Sequence, residues 1–127
     1  MDGAILARDR IVVEARTNAE FVTGTVTYRQ RSALPADAVV RVQIIDVSLA
    51  DAPAQVLGEQ VITRPGQVPV PFAVAYNPDA IDSRNRYAVQ AEIFDGDGNR
   101  LFRNTTTVPV ITGDNPVTDV EVVVVGM

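Results

Sequence analysis

LPADAVVRVQIIDVSLADAP, residues 34–53, reads as a turn, a strand and a second turn. The Leu34-Pro35 step is extended or turned, because the proline ring clashes with a helical residue before it. Ala38 to Val47 is rich in β-branched side chains, which favour a pleated surface. Val40, Val42 and Ile44 point one way and Arg41 and Gln43 the other. The phase slips at Ile44-Ile45, after which Ile45 and Val47 flank Asp46, as at a bulge or a strand end covered on both faces. Ser48 to Pro53 supplies turn residues.

Working outward, Glu20 to Arg29 alternates as a strand, with Val22, Gly24, Val26 and Tyr28 on one face and threonines on the other. Gln30 to Pro35 joins it to the strand above, and the two are expected to be antiparallel neighbours. Gln55 to Arg64 is a third strand, in which Gly58 marks a bulge or a close backbone approach. After the Pro65-Gly66 turn comes VPVPFAVAY, Val68 to Tyr76. Pro69 and Pro71 fall on alternate positions, so their missing N–H groups lie on one side and the segment belongs at a sheet edge.

Asn77 to Arg86 is a loop with a helical turn, Asn77 capping and Pro78 at the first helical position. Tyr87 to Phe94 is a strand with Tyr87, Val89, Ala91 and Ile93 inward and Gln90 and Glu92 outward. Asp95 to Asn99 is a hairpin turn. Arg100 to Val108 returns, with Val110 and Ile111 as a continuation. Val117 to Val125 is the last strand, facing Val120, Val122 and Val124 inward. The chain therefore reads as all-β, a single antiparallel β-sandwich of about seven to eight strands over residues 19–127. Residues 1–18, which fit either a helix or a strand, form a peripheral N-terminal segment.

Length suits one domain with its own core: 127 residues, without cysteine. Eleven basic against sixteen acidic residues give a net charge of −5, which argues against nucleic acid as partner. There is no His, no Cys and no Lys, all eleven basic residues being Arg. The usual general base, thiol nucleophile, zinc ligands and Schiff-base amine are therefore missing, and neither a catalytic residue nor a cofactor is expected. No transmembrane helix is expected, because apolar runs such as Val122 to Val125 are far short of ~20 residues. Asp2, Arg8, Asp9 and Arg10 interrupt the sole candidate for a secretory leader.

Several constellations invite chemistry and are read structurally. Asp95-x-Asp97-Gly98-Asn99 resembles the start of a calcium loop, but it joins two strands and its twelfth position is Thr106 rather than Glu. It reads as a turn, and no metal is expected. Asp46 and Asp51 beside Ser48 are turn or capping carboxylates. Tyr87 suits a corner tyrosine bonded to backbone a few residues upstream. Asn104-Thr105-Thr106 matches a glycosylation acceptor, which matters only in a eukaryotic secretory pathway.

The order of these pieces resembles the YbaY/YscW-like family of bacterial envelope lipoproteins. The resemblance rests on residues 22–62, on PGQVPVPFAVAY at 65–76 and on IDSRNRYAVQAEI at 81–93. It is most specific at 34–53 and 65–72 and looser after Phe94. The family includes pilotins, lipoproteins that help outer-membrane secretins of type III secretion systems to assemble. The resemblance implies a β-sandwich, a location in the periplasm or at the inner face of the outer membrane, and a protein partner such as a secretin or another outer-membrane client. Contact with the membrane would run through a lipid anchor, and the lipidated cysteine that carries one is absent from this sequence.

Three readings follow: a non-enzymatic binding module, a structural or adhesive sandwich, and an enzyme resting on Asp and Glu alone. The first is preferred, with the edge at Val68, Val70, Phe72, Val74 and Tyr76 as the expected partner-binding segment. Docking by side chains packed near that edge is expected more than strand addition, since proline protects edges from indiscriminate pairing.

Overall fold

In the computed structural model, which describes residues 9–12, 19–49 and 51–126, the strand inside the opening stretch is Val39–Asp46 (β3), the centre of the larger of two sheets. It lies between Gln55–Thr63 (β4) and Tyr87–Phe94 (β6), antiparallel to both. The slip at Ile44-Ile45 is a bulge in β4: Ile44 faces Gly58 and Ile45 faces Val56, leaving Leu57 as the extra residue. The register with β6 runs unbroken past the same point.

Asp9–Val12 (β1) borders β4, while Arg100–Arg103 (β7), Pro109–Val110 (β8) and Val125–Gly126 (β10) complete the sheet beyond β6. The smaller sheet holds Val70–Tyr76 (β5), Glu20–Thr27 (β2) and Val120–Val123 (β9), in that order. The seven main strands expected from the sequence are β2 to β7 and β9, and the architecture is the expected β-sandwich. The additions β1, β8 and β10 are two to four residues long. Of the expected peripheral segment 1–18, only residues 9–12 are described, as the edge strand β1; the rest lies outside the described residues.

Two expectations about pairing are corrected. β2 and β3 are not neighbours: the turn from Gln30 to Pro35 carries the chain from one sheet to the other. Nor is every pair antiparallel, since β9 runs parallel to β2, Gly24 opposite Val120. Both strands alternate identically whichever way they pair, so hydrophobic pattern leaves direction open. The contact depends on Gly24, where a Cβ would overlap the Val120 carbonyl oxygen.

The core lies between the sheets. Val42, Ile44, Val89, Ala91, Ile93, Val120 and Val122 are buried together, as their alternation requires. Tyr28 stacks on Phe102 with ring centroids 4.4 Å apart, closing one end, and its hydroxyl donates to the Ser32 carbonyl. The two sheets meet at two corners. At one, Val124 donates its N–H to Thr27 of β2 while Val125 already pairs with Arg103 of β7, so one strand passes from sheet to sheet. At the other, β4 packs against β5.

Candidate protein-binding surface

β5 pairs with β2 alone, so the Val68 to Tyr76 segment does form a sheet edge. Its inward phase buries Val70, Phe72, Val74 and Tyr76 in the core, and Val68 is half-buried against the same cluster. Four of the five expected binding residues thus hold the edge from behind, while Pro69 and Pro71 are exposed. Pro71 shares its phase with Ala73, whose N–H leaves the small sheet and donates to Gln60 Oε1 at 2.8 Å. Proline therefore removes donors from the side facing away from β2, as its spacing implies.

That side is occupied rather than open. Gln60 is buried at 6% exposure, its amide standing where a neighbouring strand would have offered a carbonyl. Gly58 lies against the Ala75 carbonyl, leaving no room for a Cβ. Gln60 sits on the inward phase of β4 between Gly58 and Ile62, and a polar residue on an apolar phase was the signal that could have found it.

The outer face of the large sheet carries a second feature. Arg41, Glu92 and Arg103 lie abreast on β3, β6 and β7. Glu92, expected to point outward, is only 5% exposed. Arg41 donates to its Oε1 through Nε at 3.1 Å and through Nη2, and Arg100 Nη1 donates to Oε2 at 2.7 Å. Phe94 supports the Arg41 guanidinium 5.4 Å from its ring centroid. Burial pushes the Glu92 carboxyl pKa up, but the bonds from Arg41 and Arg100 prevail and hold it below the ordinary range. The alternation on β6 was right; the two arginines from neighbouring strands, not the pleat, exclude water.

The loop after β3 is braced by Asp46. Its Oδ1 accepts from Ser48 N and its Oδ2 from Asn85 Nδ2, and the Ser48 bonds lead in holding its pKa below the usual carboxylate range. Ser48 Oγ accepts from Arg86 N. On this base Leu49 stands 73% exposed, with Val56 also exposed nearby in sequence. In the adjoining loop Asn77 caps the turn Pro78–Ala80, and Tyr87 Oη accepts from Asp82 N, the corner tyrosine expected. Hydrogen bonds from Arg84 lower the Asp82 pKa to about 2.

The other singled-out residues have structural partners. Asp95 Oδ1 accepts from Asp97 N and Asn99 N, and Gly98 takes a positive φ of 89°, completing a hairpin turn. Asn104 accepts from Ala91 N and donates to Val89 O, filling the gap between β7 and β8 along β6. Asp51 is exposed in its turn. Among the described residues no three Asp or Glu side chains converge as metal ligands, and no helix is long and apolar enough to cross a membrane.

Known proteins are similar to this chain. An uncharacterized lipoprotein YbaY of Escherichia coli (strain K12) is 41% identical over 91 residues, 71% of this chain and 47% of that protein. The chain therefore spans about half the length of that relative. The solved structure of an alternative pilotin from the type II secretion system of Vibrio cholerae superposes with a TM-score of 0.77 at 39% identity, covering 86% of this chain and 99% of that one. Residues 17–122 match the family described as type III secretion system lipoprotein chaperone (YscW). With sequence, fold and family in agreement, the chain belongs to the YbaY/YscW-like lipoprotein chaperone family.

Proposed function

We propose that this is a non-enzymatic, protein-binding domain of the bacterial cell envelope, acting as a pilotin-like chaperone that captures a segment of an outer-membrane secretin. The observation that carries the reading is the likeness to a solved pilotin at 39% identity over 99% of that chain. The absence of His, Cys and Lys from the sequence supports a binding role over a catalytic one.

Capture takes place beside β5. Val70, Phe72, Val74 and Tyr76 fix this edge from the core, so it offers a rigid rim. Val68 and the exposed Pro69 and Pro71 meet the partner by side-chain packing. Gln60 and Gly58 support that mode, because they fill the space a partner strand would need.

The test is capture of the secretin encoded by the same organism, measured with purified domain and with Pro71→Glu and Pro71→Arg variants, at an exposed position of the rim. Loss of capture at an unchanged melting temperature is the expected result. Full affinity in both variants would move the site elsewhere on the sandwich. If the unaltered domain captures no secretin, the pilotin reading falls.

A further inference from the structure

The Arg41–Glu92–Arg100 cluster serves no purpose in the edge just described, and it is an unusual thing to find on the outside of a sheet. Burying a carboxylate costs hydration that an ion pair repays only with good geometry, and apolar replacements of such pairs are often neutral or stabilising. Here the geometry leaves much unused. Glu92 spends both oxygens on two guanidiniums, whereas Arg41 and Arg100 keep further N–H donors and side chains that are 39% and 40% exposed. Arg103, opposite Glu92 on β7, is exposed and makes no ion pair among the described residues. Glu59, 3.8 Å from Arg41, is the other carboxylate within reach among the described residues. Three arginines thus face two carboxylates, one of them buried, on a chain whose net charge is −5.

We propose that Arg41, Arg100 and Arg103 form a carboxylate-binding site on the outer face of the large sheet, and that its ligand is an acidic segment of a partner protein. Glu92 is its positioning residue: one of its oxygens holds the Arg41 guanidinium and the other that of Arg100, and Arg41 also lies over the Phe94 ring. A planar fork matches the two oxygens of a carboxylate, so little side-chain entropy remains to be lost on binding. Gln43 and Gln90, on the next row of the same face, can bond to the amides of the segment that carries the acid. An acidic peptide fits better than an anionic bilayer. A net charge of −5 repels an extended negative surface, while a few carboxylates can be met locally within the screening length. The site is separate from the β5 rim and does not depend on the partner's being a secretin.

The experiment measures binding of a fluorescently labelled peptide of alternating Glu and Ala to the purified domain, at low and high salt, beside its Arg103→Gln and Glu92→Gln variants. Arg103→Gln is expected to weaken binding about tenfold with an unchanged melting temperature. Glu92→Gln removes a negative charge, so attraction by net charge alone would tighten binding. Positioning demands the reverse, a weakening of at least about threefold. The proposal is overturned if Arg103→Gln binds as well as the unaltered domain, or if Glu92→Gln binds more tightly. It is overturned equally if vesicles of phosphatidylglycerol are bound through these arginines while the peptide is not.

Discussion

Gln60 completes the edge of β5 from the opposite sheet, its Oε1 2.8 Å from the Ala73 N–H. One side chain does there what a whole strand does elsewhere in the fold. Replacing it with leucine of similar size leaves the Ala73 N–H buried without an acceptor, which costs about 1–3 kcal/mol. Denaturant melts of Gln60→Leu check this, and a loss under about half a kcal/mol would mean that water reaches the amide.

The centre of the core is where β3 and β6 face the small sheet. Ile44 and Ile93 are both fully buried, so truncating either to alanine removes apolar contacts and leaves a cavity. Each variant is expected to lose about 2–5 kcal/mol in equilibrium unfolding.

Gly24 has no room for a side chain against the Val120 backbone. Gly24→Ala must push β9 away from β2 or twist β2, and the expected loss is about 2 kcal/mol or more. Hydrogen exchange localises the damage: amides of β9 should lose protection before those of β3.

Acid should act on Glu92 in a definite direction. Its carboxyl titrates at 4.5 ordinarily and lower in the folded protein. A depressed folded value means that the contribution is complete above about 4.5 and disappears as pH falls through the lower value. Subtracting the pH–stability curve of Glu92→Gln from that of the unaltered domain isolates this dependence from Asp46, Asp82 and Asp95, whose pKa values are also lowered. A difference that stays flat between pH values of about 3 and 6 would remove Glu92 from the account of acid stability.

Calcium should not matter to the Asp95 turn, because the carboxylate already accepts from Asp97, Asn99 and the Asn99 side chain. The melting midpoint is expected to be the same with added calcium and with chelator. A rise with calcium of several degrees would identify a site.

The strands, their inward phases and the β4 bulge were legible in the sequence because alternation with period two records which residues meet water. The same property explains what was not legible. Alternation is blind to which strand lies alongside, so β2 was placed next to β3 and the parallel pairing of β2 with β9 was invisible. It is equally blind to neighbours on the outer face. Glu92 has the phase of a solvated residue and is enclosed by Arg41 and Arg100, which come from positions 51 and 8 residues away. The edge at Val68 to Tyr76 was readable from its prolines, whereas its cover by Gln60 required knowing that β4 packs against β5. The family was legible through the order of motifs, since that order preserves what pairing rules lose.

The meeting of Gly24 with Val120 also sets the order in which the molecule can be finished. Nearly a hundred residues of intervening chain must be closed before that contact forms, and such long-range pairing slows folding. Until β9 arrives, β2 has only β5 beside it, and a two-stranded ribbon is marginal by itself. A chain emerging N-terminus first, from a ribosome or through a translocation channel, therefore stays incomplete until its last strands are delivered. The fold has in effect a late latch, and a chain held open this long remains threadable for most of its passage.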